Sequence, residues 1–252
     1  MKSEIIKLLL AIQFLTRIPL PGQVGYTPER FEASPGYYPL VGLIIGSVCA
    51  GVYWLAALIF PAVIAVLLTL GAGLLLTGAF HEDGLADTFD GIGGGITPEK
   101  SLAIMKDSRI GTYGTAALII VLLLKAAVLS SMSGILVIGA LLAGHGLSRL
   151  SAVLVIMTSR YVRTDGTGKP VAKGLTAKGL AIVCLTGLGI ILVWQLFLPI
   201  STMGFGLIGL AISHVCMRLF FEPKLGGYTG DTLGAVQQAS EMGFYLGLLA
   251  WL

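Results

Sequence analysis

Charge is what this chain has least of. Of 252 residues, 12% are Asp, Glu, Lys or Arg and 56% are hydrophobic, with a mean hydropathy of +0.92. Soluble domains carry about 25% charged residues, so this composition excludes an ordinary water-soluble fold. A net charge of +3 on so few basic groups gives no reason to expect a nucleic-acid partner. Cysteine is equally sparse. Cys49, Cys184 and Cys216 are scattered through apolar stretches and form neither a CxxC pair nor a disulfide framework, so they read as core thiols. Nor does the N-terminal stretch read as a cleavable leader. Lys7, Gln13 and Arg17 interrupt the apolar residues 5–20, and no small-residue cleavage site follows.

Long apolar runs are what remain. They fall at about 40–60, 61–80, 112–130, 134–158, 179–198, 202–221 and 235–252. Each is near the roughly 20 residues a helix needs to cross a bilayer. The pattern predicts an all-α integral membrane bundle of about seven transmembrane helices, forming one domain over residues 1–252. An amphipathic or half-buried helix over 3–18, closed by Pro19 and Pro21, would precede it. The run 134–158 is long enough to be tilted or broken, and 235–252 is the weakest because Gln237, Gln238 and Glu241 occupy its first turns. Seven crossings put the N-terminal segment, 81–111, 159–178 and 222–234 on one side of the membrane. Apart from Lys125, Arg149 and Arg218, which lie inside runs, every Lys and Arg falls on that side. The positive-inside rule makes it the cytoplasmic face of a cell inner membrane.

The polar residues that do occur are concentrated. HEDGLADTFDGIGGG, residues 81–95, holds Glu82, Asp83, Asp87 and Asp90. If this stretch is helical, Asp83, Asp87 and Asp90 stand at i, i+4 and i+7 on one face. Like charges so placed repel, and a bound divalent cation such as Mg²⁺ relieves the repulsion while leaving open positions for phosphate. Gly93 and Gly94 follow, and glycine lets backbone N–H groups approach a ligand. A metal and phosphate site is one reading; a solvated acidic loop between helices is the other. Glu82 sits at a different helix angle, where it could orient a metal-bound water or act as a base.

Further polar groups fall on the same predicted side. In EKSLAIMKDSRIGTYG, residues 99–114, Asp107 is a candidate metal ligand, and Lys106 and Arg109 could pair with phosphate. An ordinary basic juxtamembrane loop would look the same. Two runs carry a histidine and an arginine at i, i+4, His145 with Arg149 and His214 with Arg218. Ionisable groups inside spans are costly and default to functional candidates, although Arg218 is near enough to a helix end to snorkel. Lys125 would need an Asp or Glu from a neighbouring helix. The basic loop around Arg160, Arg163, Lys169, Lys173 and Lys178, with Asp165, would attract anionic membrane lipid headgroups or an anionic substrate. GGYTGDTLGAVQQASE, residues 226–241, runs a glycine-rich turn through Gly230 and Asp231 into a helix expected to begin near Thr232. Such a turn suits an anion, and Asp231 suits a metal. Gln237 and Glu241 share a face two turns further on.

The strings HEDGLADTFDG, KDSRIGTYG and GGYTGDTLGAVQQASE, with FLTRIPLP at 14–21, resemble the cobalamin synthase family, the membrane adenosylcobinamide-GDP ribazoletransferases. The resemblance runs from the first helix to the last span. It implies a Mg²⁺-dependent transferase that joins α-ribazole, or its 5′-phosphate, to adenosylcobinamide-GDP. The products would be adenosylcobalamin, or its phosphate, and GMP. It also leaves room for a homo-oligomer or association with other corrinoid-pathway enzymes. DTFDG is similar to the start of the CDP-alcohol phosphotransferase motif, whose fuller continuation is missing here. A transporter is the competing class, because polar groups inside spans and glycine breaks occur there too.

Sidedness is testable in cells. A single cysteine placed at Gly94 should react with an impermeant maleimide in inverted vesicles and stay unlabelled in intact cells. Labelling from the periplasm would overturn the topology.

Overall fold

Proline and glycine set where the helices begin and end. The computed structural model describes residues 2–20, 24–163, 171 and 174–252. Pro21, and Asp165, Lys169 and Lys173 of the basic loop, lie outside the described residues. α1 (Lys2–Leu15) ends shortly before Pro19. α2 (Pro28–Glu32) opens on its own proline, with Thr27 capping it, and a 3₁₀ turn over Ser34–Tyr37 feeds α3 (Tyr38–Ala57). Pro61 and Pro199 stand immediately before α4 (Ala62–Thr77) and α10 (Ile200–Leu225), where a missing N–H costs nothing. Between and after them come α5 (Phe80–Gly94), α6 (Pro98–Ile104), α7 (Thr112–Ser130), α8 (Gly134–Thr158), α9 (Ala177–Trp194) and α11 (Gly230–Ala250). Among the described residues the fold is all-α apart from one isolated bridge between Tyr161 and Tyr228.

Five helical stretches are long and apolar enough to span a bilayer: Ser34–Ala57, Thr112–Ser130, Gly134–Thr158, Ala177–Trp194 and Ile200–Leu225. Their outward faces carry exposed apolar side chains, among them Trp54, Ile120, Leu185, Leu192 and Ile212. The long run 134–158 is one unbroken helix. Two of the seven expected spans come out differently. The run 61–80 yields α4, 16 residues long, which turns through 88° into α5. Sixteen residues rise only about 24 Å, less than the roughly 30 Å hydrocarbon layer, and the bent pair qualifies as a span only when taken together. The run 235–252 becomes α11, which falls outside those five stretches. It lies inside the bundle against α10, α5, α8 and α7, so its polar face meets protein. Cysteine is a second correction. Cys49 is buried, whereas Cys184 and Cys216 are exposed on α9 and α10 and belong to no core.

Glycines let these helices touch backbone to backbone, the usual means of tight association where no hydrophobic force separates helix from lipid. A methyl group at Gly42 would collide with the His145 carbonyl, which locks α3 against α8. Gly209 and Gly243 stand in the same relation between α10 and α11.

The interior that this packing encloses is polar. Lys125 of α7, 3% exposed, donates from Nζ to Glu241 Oε1 and to Gln238 Oε1, each at 2.7 Å. Glu241 is thus the acidic partner that Lys125 required. Its other oxygen accepts from Gln237 Nε2 at 2.7 Å and stands 3.1 Å from His145 Nδ1. Removing one member of a buried ion pair typically costs about 3–5 kcal/mol, because the survivor keeps its desolvation penalty. Lys125→Met should therefore lower the thermal midpoint in detergent by several degrees, and Lys125→Met with Glu241→Gln should recover part of that loss. An unchanged midpoint in Lys125→Met would contradict this role.

Candidate active site

The acid motif begins at a break in the backbone. Gly78 and Ala79 both adopt left-handed conformations, with φ of 65° and 55°. Glycine does so freely, but alanine carries a cost of about 1–2 kcal/mol. The two residues end α4 and redirect the chain into α5. That helix forms over the whole acidic string, so Asp83, Asp87 and Asp90 share one face as their spacing predicts. Gly84, between the acids, is where α11 crosses. A Cβ there would lie 2.7 Å from the Asp231 carbonyl oxygen, and one at Gly234 would lie 3.0 Å from the His81 carbonyl oxygen. The crossing brings Asp231 within electrostatic range of Asp87 and Asp83.

α11 begins at Gly230, two residues before the expected Thr232. Thr229 and Thr232 form a reciprocal cap, Thr232 Oγ1 accepting from Thr229 N at 2.8 Å. The turn before it is tied to the segment after α8. Tyr228 N donates to the Arg160 carbonyl at 2.8 Å, and Val162 N to the Tyr228 carbonyl at 3.0 Å. The pairing carries Arg163 to the new helix terminus, where its Nη2 stands 2.6 Å from Asp231 Oδ2. Arg163 Nε beside it is buried without a hydrogen-bond partner. A cleft of about 80 Å³ lies here, with Asp83, Asp231, Gly230, His81, Arg149 and Gln237 in its walls. A wider one of about 420 Å³ adjoins it through Asp83 and includes Arg17 and Gln13.

Other predicted groups lie elsewhere. Asp90 has both oxygens occupied, Oδ2 by Gly111 N at 2.7 Å and Oδ1 by Gly114 N at 2.9 Å. It caps α7, whose own N-cap, Gly111, has no side chain to offer. Glu82 points into the bundle interior. Its Oε1 accepts from Gln238 Nε2 at 2.9 Å, and its Oε2 is buried without a partner in a second, small cavity of about 30 Å³. Gly93 and Gly94 form the last turn of α5, so helix bonds use their N–H groups, and Gly93 is the notch that admits the Tyr113 ring. Asp107 and Arg109 pair with each other at 2.6 Å in an exposed loop, and neither they nor Lys106 line the cleft. Hydrogen bonds from Arg109 hold the Asp107 carboxyl down to about 2.

The two His-x-x-x-Arg pairs have different surroundings. Arg149, 2% exposed, donates from Nη1 to the His145 carbonyl at 3.0 Å and leaves a buried Nε without a partner, facing both cleft and interior. Arg218 instead pairs with Glu222 at 2.8 Å and donates to Thr158 at 2.9 Å. It lies about 160° around the helix from Phe220, the residue that meets Phe89 of α5. Arg149 lines the cleft and Arg218 does not. His214 is bonded to Ser151 of α8 at 2.7 Å, and Ser151 in turn to Ser240 of α11, which makes it a helix-bridging group. Glu241 and His145 belong to the buried network. Gln237 is in that network and also in the cleft wall.

Sequence reasoning does not mark Arg163 or Arg17 as site residues. Arg163 stood in a basic loop suited to lipid, and only the distant pairing of Tyr161 with Tyr228 carries it to Asp231. Arg17 interrupts the first apolar stretch and stands in FLTRIPLP, and neither pattern marks it as a site residue.

The family described as cobalamin-5-phosphate synthase matches residues 7–249. The chain belongs to that family. Relatives named adenosylcobinamide-GDP ribazoletransferase include one from Shewanella frigidimarina, 46% identical over 96% of this chain and 93% of its own length. Another, from Vibrio cholerae, is 45% identical over 97% and 93%. A third, from Leptothrix cholodnii, is 44% identical over 96% and 94%. No solved structure matches the chain. Membership of the cobalamin-5-phosphate synthase family sets aside the transporter and CDP-alcohol phosphotransferase readings.

The donor chemistry suits a hard divalent cation, since Asp83 and Asp231 in the cleft wall, and Asp87 within electrostatic range of both, offer only carboxylate oxygen. Among the described residues, no three His, Cys, Asp or Glu side chains converge closely enough to hold an ion as they stand. Arg163 occupies the Asp231 carboxylate instead.

Asp90 and Asp87 should separate by stability. Loss of a helix cap costs about 0.5–2 kcal/mol. Asp90→Ala should lower the thermal midpoint by a few degrees, whereas Asp87→Asn should leave it level or raise it by relieving repulsion. The opposite ranking would assign the cap wrongly.

Proposed function

We propose that the α5–α11 cleft joins α-ribazole, or its 5′-phosphate, to adenosylcobinamide-GDP and releases GMP. The observation that carries this reading is the convergence of Asp83, Asp231 and Arg149 on one cleft, with Asp87 in electrostatic range of both carboxylates. A ribose hydroxyl attacks the cobinamide-side phosphorus of the diphosphate. A new P–O bond forms, the hydroxyl proton is released to water, the bond to the bridging oxygen breaks, and the electron pair leaves on GMP. Little covalent work falls to the protein, whose task is to position the reactants and stabilise charge.

Asp83, Asp87 and Asp231 would hold Mg²⁺, which when bound neutralises diphosphate oxygens and the developing charge on GMP. Arg149 is suited to the diphosphate because its guanidinium is anchored to its own helix by the His145 carbonyl and keeps an unpartnered Nε. Gly230 opens the α11 N-terminus toward an anion without a side chain in the way. The cleft faces the cytoplasm of a cell inner membrane on the charge distribution, where water-soluble substrates have access.

Product formation in detergent micelles tests this. Asp87→Asn should reduce turnover at least about 100-fold, the equivalent of some 3 kcal/mol of charge stabilisation. Arg149→Lys keeps the charge but loses the planar fork, so affinity for the GDP-activated substrate should fall by about 1.5–3 kcal/mol. Near-wild-type kinetics in either variant would overturn its assigned role.

A further inference from the structure

Among the described residues, Arg163 is the cation that an ion pair ties to the acid cluster, through Asp231. Asp90 is satisfied by two amides, which leaves Asp83, Asp87 and Asp231 as mutually repelling carboxylates. The Arg163 side chain is 12% exposed and that of Asp231 22%, so the pair is only partly screened by solvent. Yet the contact is poorly formed for an arginine. Nη2 alone approaches Oδ2, to 2.6 Å, while Nε is buried without a hydrogen-bond partner. A well-made Arg–carboxylate pair is bidentate, with its donors used. This guanidinium therefore compensates charge while keeping donors in reserve. Its backbone is independently fixed, because Val162 N bonds to the Tyr228 carbonyl and Tyr228 is fully buried. The side chain can move while the segment that carries it stays in place.

We infer that Arg163 is the exchangeable counter-charge of the cleft: it neutralises Asp231 in the empty enzyme, yields that carboxylate to the divalent cation, and then binds a phosphate oxygen of the activated substrate. The inference rests on the metal and diphosphate reading above and assigns Arg163 to it. A guanidinium released from one carboxylate beside a diphosphate has a planar fork matched to two phosphate oxygens. An arginine that only braced the fold would instead strengthen the cleft for every ligand.

The two roles give opposite signs for metal binding. Mn²⁺ binding to the full chain in detergent, without substrate, is read by loss of the free-ion electron paramagnetic resonance signal. Arg163→Gln should bind Mn²⁺ roughly tenfold more tightly than wild type, because one charge-assisted contact no longer competes. The same variant should show a raised KM for the GDP-activated substrate. Arg163→Lys, which keeps the charge, should hold Mn²⁺ close to the wild-type value and still raise KM. Unchanged or weaker Mn²⁺ binding in a folded Arg163→Gln protein would overturn the inference. So would wild-type KM in Arg163→Lys, which decides the matter if the glutamine variant does not fold. Asp87→Asn separates the premises. If it binds Mn²⁺ as wild type does, the metal reading itself fails. If it loses Mn²⁺ while Arg163→Gln is unchanged, the role of Arg163 alone is wrong.

Discussion

The contact between Gly84 and the backbone of Asp231 is the constraint on which the rest depends. Any side chain at residue 84 would meet the Asp231 carbonyl oxygen and push α5 away from the start of α11. Only at that separation do two acidic segments, far apart in sequence, face one cleft. The left-handed pair Gly78 and Ala79 serves the same end, because a straight continuation of α4 would carry the acids away from α11. Backbone strain just before a cluster of like charges is tolerable where surrounding packing fixes the path. Here the fixing comes from α11 on one side and α7 on the other.

α11 links the site to the core. Its first turn supplies Asp231 to the cleft, and its fourth supplies Glu241 to Lys125 and His145. Gln238 joins the two layers by bonding both Lys125 and Glu82. The interior charges nearly balance, Lys125 and Arg149 against Glu82 and Glu241. Buried charge is tolerable only when paired and hydrogen-bonded, so the network fixes the rotation of α11 and thereby the direction of Asp231. It also explains why α11 is less apolar than α7, α8 and α10 around it: its polar face never meets lipid.

Much of this was legible from residue patterns. Composition and run length predicted the membrane bundle, and the i, i+4, i+7 spacing predicted the shared face of Asp83, Asp87 and Asp90. What could not be read was long-range. Asp90 looks like its two neighbours in sequence, but Gly111 and Gly114 claim it as a cap. The two His-x-x-x-Arg pairs are identical as strings and separate only through partners on other helices, Glu222 and Thr158 for Arg218. Hydropathy counted 235–252 as a span because a window average ignores which face is buried. Gly42 and Gly46 on α3, and Gly243 and Gly247 on α11, carried a readable small-residue signal for close helix packing.

The claim that α5 and α11 build a single site is tested most directly by a double-mutant cycle on kcat/KM. Asp87→Asn and Asp231→Asn would be measured singly and together in the detergent-solubilised transferase assay. Groups that act as one unit are strongly non-additive. The double variant should therefore be little worse than the more damaged single variant. Losses that multiply independently would mean that the two carboxylates serve separate places, and would contradict the account.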